Sequence, residues 1–127
     1  MSIILDACGE IPVRTFEPAT VLLEEGRKSG RLYVLADGQV EVLKGGFQVG
    51  VVSDPGALFG EMAVLLDTPH TATVRCVTAC RLHAIEDADA FLRSNKEFAY
   101  DIARLLAQRL QGVTTQVGDL GRYIHSM

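Results

Sequence analysis

The residues best suited to chemistry lie in one stretch, Phe59-Gly60-Glu61-Met62-Ala63-Val64-Leu65-Leu66-Asp67-Thr68-Pro69-His70-Thr71-Ala72-Thr73-Val74. Gly60 opens a run of helix formers, where unpaired backbone N–H groups and the helix dipole favour an anion. Glu61 falls in the first turn of that run. Complementing the dipole is a sufficient structural reason for it, but an ionised carboxylate facing a cavity also accepts hydrogen bonds from a sugar hydroxyl. Thr71 follows Pro69 at the expected start of a strand, with a hydroxyl and an amide available to the same anion.

Other chemistry is poorly supported. Glu61, His70 and Thr71 can be drawn as a base and a nucleophile, yet anion and sugar binding account for the same residues and no triad or metal set accompanies them, so no enzyme is expected. His83 and His125 are single histidines, read as surface or half-buried groups. Cys8, Cys76 and Cys80 lack zinc-type spacing. Cys76 and Cys80, four residues apart in a stretch that reads as one strand, are expected on one face as small buried hydrophobes. An odd number of cysteines without a disulfide pattern fits a reduced, cytoplasmic setting.

The elements that position this stretch follow from the pattern. From Ile11 to Ile85 short apolar runs alternate, as in Arg31-Leu32-Tyr33-Val34-Leu35 and Val40-Glu41-Val42-Leu43. Turn signals separate them at Glu25-Gly26, Asp37-Gly38, Gly45-Gly46, Asp54-Pro55-Gly56 and Asp67-Thr68-Pro69. Seven or eight strands are expected, in an antiparallel barrel or sandwich, with a short helix within Phe59–Leu66. After Ile85 the period turns helical, giving a short helix over about 86–94 and a long one over about 96–124 with Asn95 as its N-cap.

The long helix carries two apolar stripes. Phe98, Ile102 and Leu105 suit packing on the β region. Ala99, Ala103, Leu106, Leu110, Val113, Val117, Leu120 and Ile124 are spaced alternately four and three apart, the seam of a coiled coil. A helix of ~40 Å outreaches the β region, so a parallel homodimer through the distal seam is expected. The alternative is a helix folded back on its own domain, and Gly112, Gly118 and Gly121 weaken an isolated helix by about 1 kcal/mol each.

Composition bounds the rest. The 127 residues, 48% hydrophobic and 22% charged, read as a single domain over 1–127 able to bury a core without disulfides or metals. With 12 basic against 16 acidic residues and a net charge of -4, the chain lacks the basic face of a nucleic-acid binder, so no direct nucleic-acid contact is expected. No run approaches the ~20 apolar residues needed to span a bilayer, and no basic segment precedes the apolar start. A soluble, unexported protein with no membrane partner is expected.

The order of the whole central stretch resembles the phosphate-binding cassette of cyclic nucleotide-binding domains, F-G-E-(L/M)-A-(L/V), a short turn, then P-R-(S/T)-A-(S/T)-V. Phe59, Gly60, Glu61, Met62, Ala63, Pro69, Thr71, Ala72, Thr73 and Val74 match it. Glu25-Gly26 resembles the family's early strand-turn glycine, and Leu32-Tyr33-Val34-Leu35-Ala36-Asp37-Gly38-Gln39-Val40 its (L/Y)-Y-x-(L/I)-x-x-G-x-V signature. The tail from Arg109 to Leu120 is similar to the dimer helix of the bacterial catabolite activator (Crp-Fnr) branch. The resemblance covers roughly 16–120.

The resemblance implies a mainly β fold, an antiparallel double-stranded β-helix (jelly-roll barrel) with a short cassette helix and a long C-terminal dimer helix. It implies cAMP or cGMP as ligand, with no further cofactor. Gly60, Met62 and Ala63 would offer amides to the cyclic phosphate, Glu61 would hold the ribose 2'-hydroxyl, and Thr71 and Ala72 would reach the phosphate from the strand. Arg109 falls at a helix arginine that lies near the ribose-binding glutamate, its alternative being a surface arginine. Thr114 falls where the branch turns a hydroxyl towards the base.

The departure is His70, which stands where the pattern has the phosphate-binding arginine. An unperturbed histidine, with pKa ~6.5, is mostly neutral at pH 7 and lacks the guanidinium fork. Losing a charge-assisted contact of ~1.5–3 kcal/mol weakens binding roughly 10- to 150-fold. Nothing near it in sequence replaces the charge, since Arg75 reads as a surface residue. Two readings therefore stay open: a cyclic nucleotide sensor that signals through its C-terminal helix, or a degenerate module that dimerises, mediates an interaction or takes another acidic ligand. In the catabolite activator branch a helix-turn-helix domain follows the long helix. Here the sequence stops at Met127, as a stand-alone module or as a fragment.

Overall fold

The computed structural model describes the backbone of residues 3–126 and the side chains of residues 4–113. After a short helix, α1 (Ile3–Ala7), come β1 (Val13–Phe16), β2 (Val21–Leu23), β3 (Leu32–Asp37), β4 (Val40–Lys44), β5 (Phe47–Val52) and β6 (Leu58–Phe59). The cassette helix α2 (Glu61–Leu66), β7 (Thr73–Cys76), β8 (Cys80–Ile85), α3 (Ala88–Ser94) and α4 (Lys96–Ser126) complete the chain. The strands form two four-stranded sheets, β1-β8-β3-β6 and β2-β7-β4-β5, and every pairing is antiparallel.

Alternation along the strands builds two cores. Tyr33, Leu35, Leu82 and Phe59 from the first sheet meet Leu22, Leu23, Val40 and Val74 from the second. The opposite face of the first sheet, through Leu32, Val34, Leu58 and Ile85, packs under the helices by way of Ile4, Cys8, Leu92, Phe98 and Ile102. β3 is buried on both faces, which explains its unbroken apolar run Leu32–Leu35. At the edge of the other sheet, β5 beside β4 is mostly exposed.

The helical part follows the expected outline with adjusted ends. The helix expected over about 86–94 begins at Ala88, because the Asp87 carboxylate accepts a hydrogen bond from the Ala90 N–H and so caps it. Asn95 caps α4 as expected, its Oδ1 accepting from the Phe98 N–H at 3.1 Å. Phe98 and Ile102 are buried and Leu105 packs beside them. On the second stripe, Ala99 and Leu106 pack against this same core, whereas Ala103, Leu110 and Val113 are exposed. The remaining seam positions, Val117, Leu120 and Ile124, lie outside the described side chains, as do Thr114 and His125.

Two expectations need correction. Cys76 and Cys80 do not share a strand: Cys76 ends β7 in one sheet and Cys80 opens β8 in the other, the three residues between them making the crossing. Both are buried, and burial together with the neighbouring Cys80 thiol pushes the Cys76 thiol up to about 12, which leaves it unreactive. His83 is a buried residue, its Nδ1 hydrogen bonded to the Ile11 carbonyl oxygen at 2.7 Å, which ties the segment before β1 to β8.

Candidate functional site

The cassette runs from the end of β6 through α2 to the start of β7. Gly60 joins β6 to α2 at φ +95°, a left-handed conformation costly for other residues, and a Cβ there would lie 2.5 Å from the Arg31 carbonyl oxygen. The glycine therefore has a structural reason independent of any ligand: α2 must start where β3 passes. At the other end, the His70 N–H donates to the Arg27 carbonyl at 2.9 Å and the Gly26 N–H donates to the His70 carbonyl at 2.8 Å. This clip holds the cassette to the turn after β2, where Gly26 itself has φ +85°. The Glu25-Gly26 turn and the His70 end of the cassette, more than forty residues apart, are thus one unit.

A cavity of about 200 Å³ lies against this unit. Its apolar wall includes Leu23, Val42, Phe59 and Val74, and its polar wall is Glu61, Thr68, His70 and Thr71. Gly60, Met62, Ala63 and Ala72 also line it, so eight of the nine residues proposed from the sequence are described and seven of those eight bound one cavity. The eighth, Arg109, reaches the same place from α4: its Nη1 donates to Glu61 Oε1 at 3.1 Å. The ninth, Thr114, lies outside the described side chains. Thr71 precedes β7 in a bend instead of opening the strand.

The electrostatics of the polar wall are unusual. Glu61 is only 6% exposed, and burial lifts its carboxyl above the ordinary range although its own backbone N–H and Arg109 both pull the other way. His70 is equally buried and hydrogen bonds through Nε2 to Ser29 Oγ at 2.7 Å, and burial lowers its pKa, so the imidazole is neutral at pH 7. Arg75 pairs with Glu41 across β4 and β7 and adds nothing to the cavity wall.

Two contacts were not foreseen. Ser29, the partner of His70, sits in the loop between β2 and β3, where no sequence pattern marked it. Lys44 ends β4 and donates from Nζ to the Thr71 carbonyl oxygen at 3.1 Å, which places a cation beside the cassette. A signal for Lys44 existed: in Val40-Glu41-Val42-Leu43-Lys44 it has the parity of the two inward valines.

The profile of the family described as "Cyclic nucleotide-binding domain" matches residues 13–93. The chain belongs to this family, whose domain is a regulatory, non-enzymatic fold. It is 30% identical over 104 residues to the cAMP-dependent protein kinase regulatory subunit of Schizosaccharomyces pombe, covering 82% of this chain and 25% of that protein. It is 29% identical over 106 residues to the potassium channel SKOR of Arabidopsis thaliana, covering 80% of this chain and 13% of the channel. The chain thus spans a quarter or less of these two relatives. Among solved structures it is similar to the catabolite activator protein of Thermus thermophilus, with TM-score 0.72 and 27% identity over 93% of this chain and 59% of that one. No described helix is long and apolar enough to cross a membrane.

Proposed function

We propose that this chain is a regulatory sensor domain that binds cAMP or cGMP in the cassette cavity and transmits occupancy through α4. The observation that carries the reading is Glu61, a buried carboxylate on the cavity wall bonded to Arg109 of the long helix. An ionised carboxylate accepts hydrogen bonds only, so a ribose hydroxyl and the Arg109 guanidinium compete for, or share, the same oxygens. Ligand occupancy then changes what holds α4 in place, and differential affinity for two helix positions shifts their populations. In this reading Gly60, Met62 and Ala63 supply amides to the cyclic phosphate, Thr71 and Ala72 reach it from the segment before β7, and Thr114 meets the base.

A second reading has its own support. Neutral His70, turned to Ser29 where the family pattern has arginine, favours a fold that has lost cyclic nucleotides and serves as a dimerisation or interaction module. Titration calorimetry with cAMP and cGMP on the purified chain separates the two. The sensor reading expects saturable binding, weakened from micromolar towards sub-millimolar by the missing fork; no heat with either nucleotide at millimolar concentration rejects it.

The reading includes a homodimer through α4 and a cytoplasmic setting without nucleic-acid or membrane contacts. Support for the dimer is the exposure of Leu110 and Val113, at 66% and 54%, on the seam side of the helix. Replacing Leu110 and Val117 with glutamate should leave a folded monomer, because both positions lie beyond the Phe98–Ile102 segment along the sequence of α4. Light scattering checks it: a wild-type mass near 14 kDa at micromolar concentration would rule the dimer out.

A further inference from the structure

The charge lost from position 70 has a candidate successor on another element. β4 stays in regular register with β7, Val40 opposite Cys76 and Val42 opposite Val74. Val40 is buried and Val42 lines the cavity, so the next residue on that face is Lys44. Its ammonium lies 3.1 Å from the carbonyl oxygen of Thr71, itself a cavity-lining residue. Other cations beside the cassette are already matched, Lys28 to Asp67 at 3.2 Å and Arg109 to Glu61. Lys44 makes no ion pair among the described residues, and the nearby Glu25 carboxylate spends Oε1 on the Gly45 N–H at 2.9 Å.

We infer that Lys44 binds the phosphate of an anionic nucleotide held in the cassette, replacing from β4 the charge that His70 does not supply. The inference rests on the cyclic nucleotide reading above. An ammonium has three donors, so Lys44 keeps the Thr71 carbonyl while giving a second hydrogen to a phosphate oxygen. As a point charge on a flexible stem it tolerates approach from outside the position an arginine fork would occupy. Lys44 is exposed, so the contact is screened by salt and weaker than a buried guanidinium pair.

The test is calorimetry with cAMP and cGMP on wild type, Lys44→Ala and Lys44→Arg, from about 50 to about 300 mM salt, a range over which screening changes appreciably. Lys44→Ala should bind about 3- to 30-fold more weakly, the span between an exposed ion pair and a charge-assisted hydrogen bond. It should also lose much of the salt dependence, whereas Lys44→Arg should keep both the affinity and the salt dependence of wild type. Matching denaturation midpoints exclude a folding defect. If wild type binds and Lys44→Ala matches it, or Lys44→Arg is as weak as alanine, the Lys44 role is wrong and the cyclic nucleotide reading stands. If wild type binds neither nucleotide, both fall together.

Discussion

Under the sensor reading Glu61→Ala should weaken cAMP or cGMP binding by about 1.5–3 kcal/mol, roughly 10- to 150-fold, because it removes a charged acceptor from the cavity wall. A carboxylate that only complemented the dipole of α2 would instead contribute some 0.3–1 kcal/mol of stability and leave affinity untouched. The pH dependence of folding gives a second readout. Burial raises the Glu61 carboxyl in the folded state, so the unfolded chain releases its proton first. The contribution of Glu61 is therefore fully present below the unfolded value of about 4.3 and is lost as pH rises through the higher folded value. Glu61→Gln cannot ionise, so its stability relative to wild type should rise across that window and stay level above it. Denaturation at a series of pH values checks the sign, and a parallel wild-type and glutamine profile would show that burial of this carboxylate costs nothing. In the proposed reading Glu61, on the cavity wall and bonded to Arg109 of α4, serves ligand binding at a cost to folding.

Where local pattern and final structure agree, the same physics acts at both levels. Inward parity produced Leu35, Val40 and Leu82, the Asn95 side chain had an orphan amide to satisfy, and the spacing of Phe98 and Ile102 needed an apolar sheet face beneath it. The cassette was legible because its sequence signals are local: a left-handed glycine, a run of helix formers, a turn, then a strand. What failed was non-local. α1 carries no cap or period long enough to announce a five-residue helix, and it exists because Ile4 and Cys8 find the core beneath α4. The Cys76 to Cys80 segment resembled one strand, since Val77-Thr78 has strand-forming residues, but the chain changes sheets there. Ser29 and Lys44 became site residues only when the sheets closed, so spacing along the sequence held no trace of Ser29 and only a parity for Lys44.

His70→Arg should tighten binding of the anionic nucleotide by about 1–3 kcal/mol, restoring a charge-assisted pair that the imidazole does not supply at pH 7. The same substitution breaks the 2.7 Å contact with Ser29 and buries a cation, so the ligand-free variant should be less stable than wild type and recover on binding. Wild type itself should respond to pH. Burial already places the His70 pKa below its usual value of 6.5 in the empty protein, and a bound phosphate raises it. Binding is then weakest above the bound-state value, strengthens as pH falls through it, and levels off only below the free-state value, which lies under 6.5. Folding of the empty protein moves the other way: a histidine held neutral loses stability as pH falls from about 6.5, because the unfolded chain takes the proton first. Arginine does not titrate in this range, so the variant should bind with a flat profile. Calorimetry between about pH 5.5 and about pH 8 spans the window set by these values. An arginine variant that binds no better than wild type, with the same pH dependence, would mean that His70 faces Ser29 in the bound state too, and that the phosphate is held entirely by other groups.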